Sequence, residues 1–389
     1  MGKVRVCMLL YQYYHLDARV QNYVYTLLKN DMEVDVICLE HELTSSIHED
    51  GLRLIELPLQ RKSKDRNYFW EYFVCLLFFT GYTIWNYIRR GYHIIHIHNM
   101  PDFLIFAAIL PKILGCKIIL DIHDPMPEFF LSKFQKRTDS LLGKLLVIEE
   151  RVSALFADEI ITANENFRQV LQNRGIPENK ITVVINVANP KIFYQRNKIR
   201  TNKDKYILVF PGTLAARYGL DIPIIALPEL LKTIPNIMFR LIGDKNDYTD
   251  TLSVIAVTLG MQDHFEILAS VPLEQIPALL SDCDIGIYPA IPDPHMSIAT
   301  PGKILEYAAM DLPIVSSKLQ AVSIYFPESC VSYFEPGSIN GFTSCILNLY
   351  NNPARVQSLL ENMQKMYIQV YTYEKEQAKY LNLIKTKLI

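Results

Sequence analysis

Residues 297–315 read SIATPGKILEYAAMDLPIV and predict a helix that leads directly into a strand. Thr300 is suited to cap a helix amino end and Pro301 to occupy the first helical position, while Pro313 ends the helix before a short β-branched run. Helices that connect strands in this way build parallel α/β sheets. The stretch therefore predicts an α/β fold.

The rest of the chain shows the same alternation of short apolar runs with helical patterns. The predicted strands are Val4–Leu10, Glu33–Leu39, Leu52–Leu57, His93–His98, Lys117–His123, Glu159–Ala163 and Ile181–Ile185, followed by Tyr206–Phe210, Asn236–Ile242, His264–Leu268, Asp284–Tyr288, Pro313–Ser316 and Cys330–Phe334. We expect two doubly wound, Rossmann-like sheets that face a cleft.

The length of 389 residues fits two domains. Residues 186–205 are polar and without periodicity, so we interpret them as a linker between a first domain, 1–185, and a second, 206–370. Residues 371–389 are predicted to form a helix that crosses back to the first domain.

Composition excludes several classes of protein. A hydrophobic content of 50% excludes a largely disordered chain, and a net charge of -2 argues against a nucleic-acid partner. The seven cysteines contain no C-x-x-C pair, so they are expected to be free thiols in a reducing compartment. The amino-terminal stretch turns polar at Gln12 and His15 before a signal-peptide core develops, so we expect a cytoplasmic protein.

The segment from Tyr68 to Ile88 carries one formal charge, Glu71. It is interpreted as a membrane span, as a helix that touches a membrane surface, or as an apolar helix that covers the sheet. Thr80 and Asn86 argue against the span. The flanking basic residues are Arg61, Lys62, Lys64, Arg66, Arg89 and Arg90. They predict an affinity for anionic membranes, such as the inner face of the plasma membrane.

The helix amino end at Thr300 offers free N–H groups and the positive end of the helix dipole, which together bind anions. Gly302 allows close backbone approach, and Lys303 adds a full charge. Glu306 lies one turn further along the same face, where it can accept hydrogen bonds from sugar hydroxyls. These residues predict a nucleotide-diphosphate site. The alternative is a capped surface helix with a Lys303–Glu306 ion pair.

A second constellation follows the first strand of the second series. Gly212 and Thr213 form a turn, and Arg217 precedes the next helix. The planar guanidinium can hold a distal phosphate, although an arginine in a loop is more often solvated. In contrast, the turn after the first strand of the chain contains no glycine, so a nicotinamide or flavin site is not expected there.

Taken together, these features resemble glycosyltransferase family 4, a family of retaining enzymes with the GT-B architecture. The segments that carry the resemblance are Val34–Ile37, His96–Asn99, Asp121–Asp124 with Pro127-Glu128, Gly212–Leu214, Leu241–Asp244 and Pro301-x-Lys303-x-x-Glu306-Tyr307. The resemblance implies transfer of a sugar from a nucleotide-diphosphate sugar to a hydroxyl of a carbohydrate or lipid-linked glycan acceptor. Such transfer serves the synthesis of polysaccharides, lipopolysaccharides or other glycoconjugates.

The resemblance also implies roles for particular residues. His123 would hydrogen-bond the donor sugar near its reacting carbon, and Arg217 and Lys303 would stabilise the leaving diphosphate. Donor-binding positions would be Gly212, Thr213, Gly243, Asp244, Thr300, Gly302 and Glu306. Acceptor-binding candidates in the first domain are Tyr14, Asp17, Asn99 and Asp124. For Asp17 the alternative role is a helix cap, and Asp124 and Glu128 could instead cap the turn that follows them.

Two departures from the family pattern stand out. Many members carry a glutamate eight positions before the ribose-binding one, where this chain has Ile298. The family's usual arginine and lysine after the first glycine of the second domain are here Thr213 and Tyr218, and Arg217 is hypothesised to compensate.

No metal cofactor is predicted. His96 and His98 share a strand face, but no carboxylate spacing completes a zinc site. Asp282 and Asp284 have the spelling of a D-x-D motif but lead into a strand. In the implied mechanism, the leaving diphosphate takes the acceptor proton, and fixed positive groups stabilise it. A GT-B nucleotide-sugar epimerase and a noncatalytic nucleotide-sugar-binding scaffold remain the rival functions.

Overall fold

The computed structural model describes residues 2–41, 49–59, 68–133, 140–194 and 204–388. They form two compact units: unit 1 comprises Met1–Asn186 with Glu374–Ile389, and unit 2 comprises Val187–Tyr373. The predicted basic flank at Arg61, Lys62, Lys64 and Arg66 lies outside the described residues.

Unit 1 contains a seven-stranded parallel sheet in the order β3-β2-β1-β4-β5-β6-β7. Its strands are β1 Arg5–Leu10, β2 Glu33–Leu39, β3 Leu52–Leu57, β4 Ile94–His98, β5 Lys117–Ile122, β6 Glu159–Thr162 and β7 Ile181–Val183. Its helices are α1 Ala18–Leu28, α2 Tyr68–Arg90, α3 Ile109–Ile113, α4 Met126–Lys133, α5 Leu141–Phe156 and α6 Glu165–Asn173.

Unit 2 contains a six-stranded parallel sheet in the order β10-β9-β8-β11-β12-β13. Its strands are β8 Tyr206–Pro211, β9 Ile237–Ile242, β10 Phe265–Leu268, β11 Ile285–Tyr288, β12 Ile314–Ser317 and β13 Ser332–Phe334. Its helices are α7 Asp221–Leu230, α8 Asp247–Thr258, α9 Ile276–Ser281, α10 Gly302–Ala309, α11 Gln320–Ser323, α12 Ile339–Asn351 and α13 Pro353–Val370, after which α14 Tyr373–Leu383 leads back to unit 1.

The sheets form because most central strand positions are apolar and buried on both faces, as in β1 and β8. In unit 1 one core cluster includes Phe79 of α2, and the other includes Tyr380 and Leu383 of α14. Each predicted strand is present, with ends that differ by at most two residues. The prediction of two doubly wound sheets is confirmed.

The predicted linker is partly packed. Val187 and Phe193 are buried, and the contacts of this segment assign it to unit 2. Residues 195–203 lie outside the described part of the chain. All seven cysteines are free thiols, as expected.

Helix α2 packs one side on the sheet through Cys75, Phe79 and Thr83, which are buried. Where the structure describes the chain, no helix combines the length and the apolarity that crossing a bilayer requires. The interpretation of residues 68–88 as a membrane span is therefore wrong, because their polar residues dilute the apolar run.

Candidate functional site

A buried ion pair lies at the carboxyl edge of the unit 1 sheet. Asp121 stands near the end of β5, and Arg19 reaches it from the first turn of α1, with Nε and Nη2 each 3.0 Å from one carboxylate oxygen. Arg19 Nη1 also donates to the carbonyl oxygen of Val184 at 2.8 Å. Burial acts to raise the pKa of Asp121, but Arg19 and His123 outweigh it and hold that pKa well below its usual range.

His123 follows β5 and shares this carboxylate, its Nε2 lying 3.0 Å from Asp121 Oδ2. Burial acts to lower the pKa of His123, but Asp121 raises it above the ordinary value. The side chain is 20% exposed, and Nδ1 has no hydrogen-bond partner among the described residues. The imidazole is therefore oriented through one nitrogen and can bind a ligand through the other.

His96 and His98 complete the cluster from β4. His98 lies opposite Asp121 in the pairing of β4 with β5, and its Nδ1 is 3.4 Å from the carboxylate. His96 Nδ1 lies 3.1 Å from the hydroxyl of Tyr380. Burial lowers the pKa of both histidines. Burial therefore favours the neutral form of both rings.

The sequence-based argument against a metal site fails at this cluster. His96, His98 and Asp121 bring one ligand atom each within 4.8 Å of one another. The missing carboxylate comes from the neighbouring strand, which spacing along β4 alone could not reveal. Arg19 contacts both oxygens of that carboxylate, and a bound guanidinium opposes a second cation at the same place.

Other predicted residues of unit 1 have structural contacts. Asn99 donates to Asp102 Oδ1 at 2.9 Å and to the carbonyl of Asp124 at 2.7 Å, and its Oδ1 accepts from the amide of His123 at 2.8 Å. Its amide group therefore fixes the loops that hold His123. Tyr14 is 4% exposed and packs in a core cluster of unit 1, and its role in binding an acceptor stays a prediction.

The acidic candidates of unit 1 differ in their contacts. Asp17 caps α1 by accepting from the amide of Val20 at 3.0 Å, which confirms the alternative role. Glu128 pairs with Arg174, so its predicted turn-capping role is not observed. Asp124 remains partly exposed beside His123.

In unit 2 the side chain of Lys303 lies over two aromatic rings. Its Nζ is 5.4 Å from the centroid of Phe210 and 5.7 Å from that of Tyr218. The ammonium forms neither a hydrogen bond nor an ion pair with another described residue and acts on Glu306 only through its charge, so the alternative of a Lys303–Glu306 ion pair is wrong. Ring faces attract a cation but leave its N–H donors available. This geometry suits an ammonium group that binds an anion.

The helix amino end beside Lys303 begins one residue later than predicted. Pro301 is extended and occupies the cap position, Gly302 is the first helical residue, and no side chain caps the helix. The predicted capping role of Thr300 is wrong, because Pro301 is extended and the helix starts only at Gly302. Its buried hydroxyl has no hydrogen-bond partner among the described residues.

Two glycines permit this arrangement. Gly212 has a φ of 111°, and a Cβ atom there would lie 2.6 Å from Lys303 Nζ. A Cβ atom on Gly243 would lie 2.3 Å from the carbonyl oxygen of Gly212. The turns after β8 and β9 can therefore approach each other only without a side chain at Gly243, and Gly212 leaves the space that the Lys303 ammonium occupies.

Glu306 and Tyr307 stand on the next turn of α10. Burial raises the pKa of Glu306, while Lys303 acts to lower it. The Glu306 carboxylate has no hydrogen-bond partner among the described residues. The hydroxyl of Tyr307 donates to the carbonyls of Val209 and Ile287, at 3.1 and 3.2 Å, and fixes the helix to the sheet.

The remaining donor-site candidates lie around the same strand ends. Arg217 occupies a short 3-10 helix whose position is fixed by a hydrogen bond from the amide of Ile291 to its carbonyl, 2.9 Å long. Thr213 and Asp244 are exposed, and Asp244 accepts a hydrogen bond from Ser270. Sequence reasoning missed Phe210 as a support for Lys303. The available signal was an aromatic residue two positions before the glycine of the predicted phosphate-binding turn.

Comparisons with known proteins identify the family of this chain. The model of Glycosyltransferase Family 4 matches residues 18–191, and that of Glycosyl transferases group 1 matches residues 205–352. The chain belongs to glycosyltransferase family 4. The resemblance stated from its motifs is thereby confirmed.

Two solved structures show the fold of this family member. Sucrose-phosphate synthase from Thermosynechococcus elongatus aligns with a TM-score of 0.79 at 14% identity, over 98% of both chains. HepE from Anabaena, solved in complex with UDP-glucose, gives 0.75 at 14% identity, over 98% of this chain and 99% of that one. The family member has the GT-B fold.

A curated relative is the GPI3 subunit of phosphatidylinositol N-acetylglucosaminyltransferase from Saccharomyces cerevisiae. It is 21% identical over 291 residues, which cover 72% of this chain and 61% of that protein. This chain therefore spans about three fifths of the length of that relative.

Proposed function

We propose that this chain transfers a sugar from a nucleoside-diphosphate sugar to an acceptor hydroxyl with retained anomeric configuration, and that unit 2 binds the donor. The proposal rests chiefly on the Lys303 ammonium, which lies over two rings, forms no ion pair with a described carboxylate and stands at a helix end that no side chain caps. The amides of Gly302 and Lys303 donate to no described acceptor. An anion is the ligand that such donors bind.

The rest of the donor fits the same helix. Glu306 lies one turn beyond Lys303, and its carboxylate has no hydrogen-bond partner among the described residues, as an acceptor for ribose hydroxyls requires. HepE, which shares the fold, was solved with UDP-glucose, and the yeast relative is named for N-acetylglucosaminyl transfer. The first of these titles supports a nucleotide sugar as the donor class, and the second supports sugar transfer. In the proposal the acceptor is a carbohydrate or a lipid-linked glycan.

The chemical step needs the diphosphate to leave and the acceptor proton to find a base. In the proposed mechanism the departing diphosphate oxygen takes that proton, and the positive groups of unit 2 bind the developing charge more strongly than the intact donor. Arg217 would hold the distal phosphate with its planar fork. His123 would contact the sugar through Nδ1, while Asp121 orients Nε2.

Donor affinity should depend on both Lys303 and Glu306. We expect Lys303→Ala and Glu306→Gln each to weaken binding of the donor by about tenfold or more, since each removes a charge-assisted contact. Calorimetric titration with UDP-, GDP- and ADP-glucose measures the effect. Lys318→Ala and Glu328→Gln change an exposed pair in the same unit and should leave affinity unchanged. Unaltered affinity in both test variants would overturn the donor site.

His123→Ala should lower turnover by about 100-fold and leave donor affinity nearly constant, because a contact near the reacting carbon strengthens as charge develops there. Separate measurement of initial rates and of donor dissociation constants distinguishes the two quantities. The control is His93→Ala, an exposed histidine of the same unit. A fully active His123→Ala enzyme would remove this residue from the mechanism.

The same assays separate the rival functions. Transfer to an acceptor supports the proposal, whereas conversion of the free nucleotide sugar to its epimer would identify an epimerase. Binding without either reaction would identify a noncatalytic scaffold.

A further inference from the structure

Three helices of unit 1 expose apolar side chains in stripes that follow the helical repeat. The exposed apolar residues are Trp70, Phe73, Leu77, Trp85 and Ile88 of α2, Ile109, Ile113 and Leu114 in and after α3, and Leu141, Leu145, Ile148, Val152 and Leu155 of α5. Their spacings of three, four, seven and eight residues place them on one side of each helix. We call these residues the α2–α3–α5 surface.

The three stripes belong to one side of the unit because their helices are neighbours. The hydroxyl of Tyr87 in α2 donates to the carbonyl of Leu114 at 3.4 Å. Lys112 in α3 donates to the carbonyl of Phe156 in α5 at 2.5 Å and lies 4.8 Å from the centroid of that ring. All three helices pack against the 3-10 helix Asp102–Ala108.

The exposed stripes are not needed to cover the sheet. Helix α2 already buries Cys75 and Phe79 on its inner side, and a covering helix requires only one apolar face. Contiguous exposed apolar patches mark places where a protein meets another apolar phase, such as a partner protein or a membrane.

The charges around the stripes have one sign. The acidic residues of these helices turn away from solvent: Glu71 accepts from Tyr11, Glu149 from Ser153 and Glu150 from Arg174. The exposed charged residues of the same helices are basic, namely Arg89, Lys144 and Arg151. Arg89 lies 4.1 Å from the ring centroid of Trp85.

We propose that the α2–α3–α5 surface docks on an anionic lipid bilayer. Aromatic and aliphatic side chains would enter the boundary between headgroups and acyl chains, and the basic residues would meet lipid phosphates. Tryptophan is enriched at this boundary, and both tryptophans of the chain lie on the surface. A second copy of the chain is a poorer partner, because a two-fold interface would bring the same cations together.

The test uses these tryptophans as reporters, since the chain contains no others. With vesicles of phosphatidylcholine and phosphatidylglycerol, we expect the emission of the intact protein to shift to the blue, brominated lipid to quench it, and the protein to float with the vesicles. Vesicles of phosphatidylcholine alone should give a weaker effect, because only the apolar contribution remains.

A double variant, Ile113→Glu with Ile148→Glu, should lower vesicle affinity at least about tenfold without touching either reporter. The matched control is Val254→Glu with Val257→Glu. These two residues are each 64% exposed on α8 of unit 2, comparable to the 76% and 58% of Ile113 and Ile148. Melting curves of both variants establish that they fold.

Three results would overturn the proposal. They are unchanged emission and no flotation with anionic vesicles, equal binding by the Ile113→Glu/Ile148→Glu variant, and a concentration-dependent dimer that this variant abolishes. The readouts require no turnover, so they stand independently of the proposed sugar transfer.

Discussion

Replacement of Arg217 and Lys303 together by alanine is expected to lower turnover by about four orders of magnitude. Each fixed positive group that binds the departing diphosphate in a water-poor site contributes roughly 2–4 kcal/mol to lowering the barrier. The double variant removes two of them and leaves only the amides at the start of α10. Single-turnover rates at saturating donor measure the loss, and each single variant should lie in between.

The same proposal requires activity to survive a chelator, because fixed protein charges take the place of a divalent ion. Assays with and without EDTA test this directly. For the variants of Arg217 and Lys303, Lys318→Ala serves as the control, since it removes an exposed lysine of the same unit that pairs with Glu328. Complete loss of activity with EDTA, restored by magnesium or manganese, would show that a metal stabilises the leaving group.

Asp121→Ala should lower the free energy of unfolding of unit 1 by about 3–5 kcal/mol, because it leaves the charge of Arg19 buried without its partner. Denaturant titration followed by circular dichroism measures the loss. The variant should also lose turnover, since His123 would no longer be oriented.

Two further variants separate charge burial from packing. Arg19→Leu combined with Asp121→Leu removes both charges and should cost less than Asp121→Ala alone. Glu165→Ala breaks an exposed ion pair with Arg168 and should cost at most about 1 kcal/mol. A loss in Asp121→Ala no larger than in Glu165→Ala would show that the buried pair does not support the fold.

The strands were predictable because a parallel strand buried on both faces is a short apolar run that little else in a soluble chain imitates. The start of α10 was harder. Thr300 and Pro301 match the usual cap and first positions, but the extended conformation of Pro301 delays the helix to Gly302. The residue at which the helix starts depends on packing around the proline, and a local sequence pattern contains no information on that packing.

The cluster around Asp121 was only partly visible in the sequence. A carboxylate inside an apolar strand requires a partner, which was a signal that Asp121 offered. Its partner Arg19 and the supporting Tyr380 lie far away in the sequence, and only the strand order and the returning α14 bring them together. Which residues meet across elements depends on the strand order and on the path of α14. The sequence predicted the fold class but not this order.

The return of α14 to unit 1 affects how the protein can be made. Tyr380 and Leu383 fill a core cluster whose other members precede unit 2 in the sequence. During translation, the first sheet therefore emerges from the ribosome with one apolar face incomplete, and it stays so until unit 2 has been synthesised. A fragment that stops at Asn186 would retain that exposed face. Anyone who wishes to study the first half in isolation should append residues 374–388 through a linker.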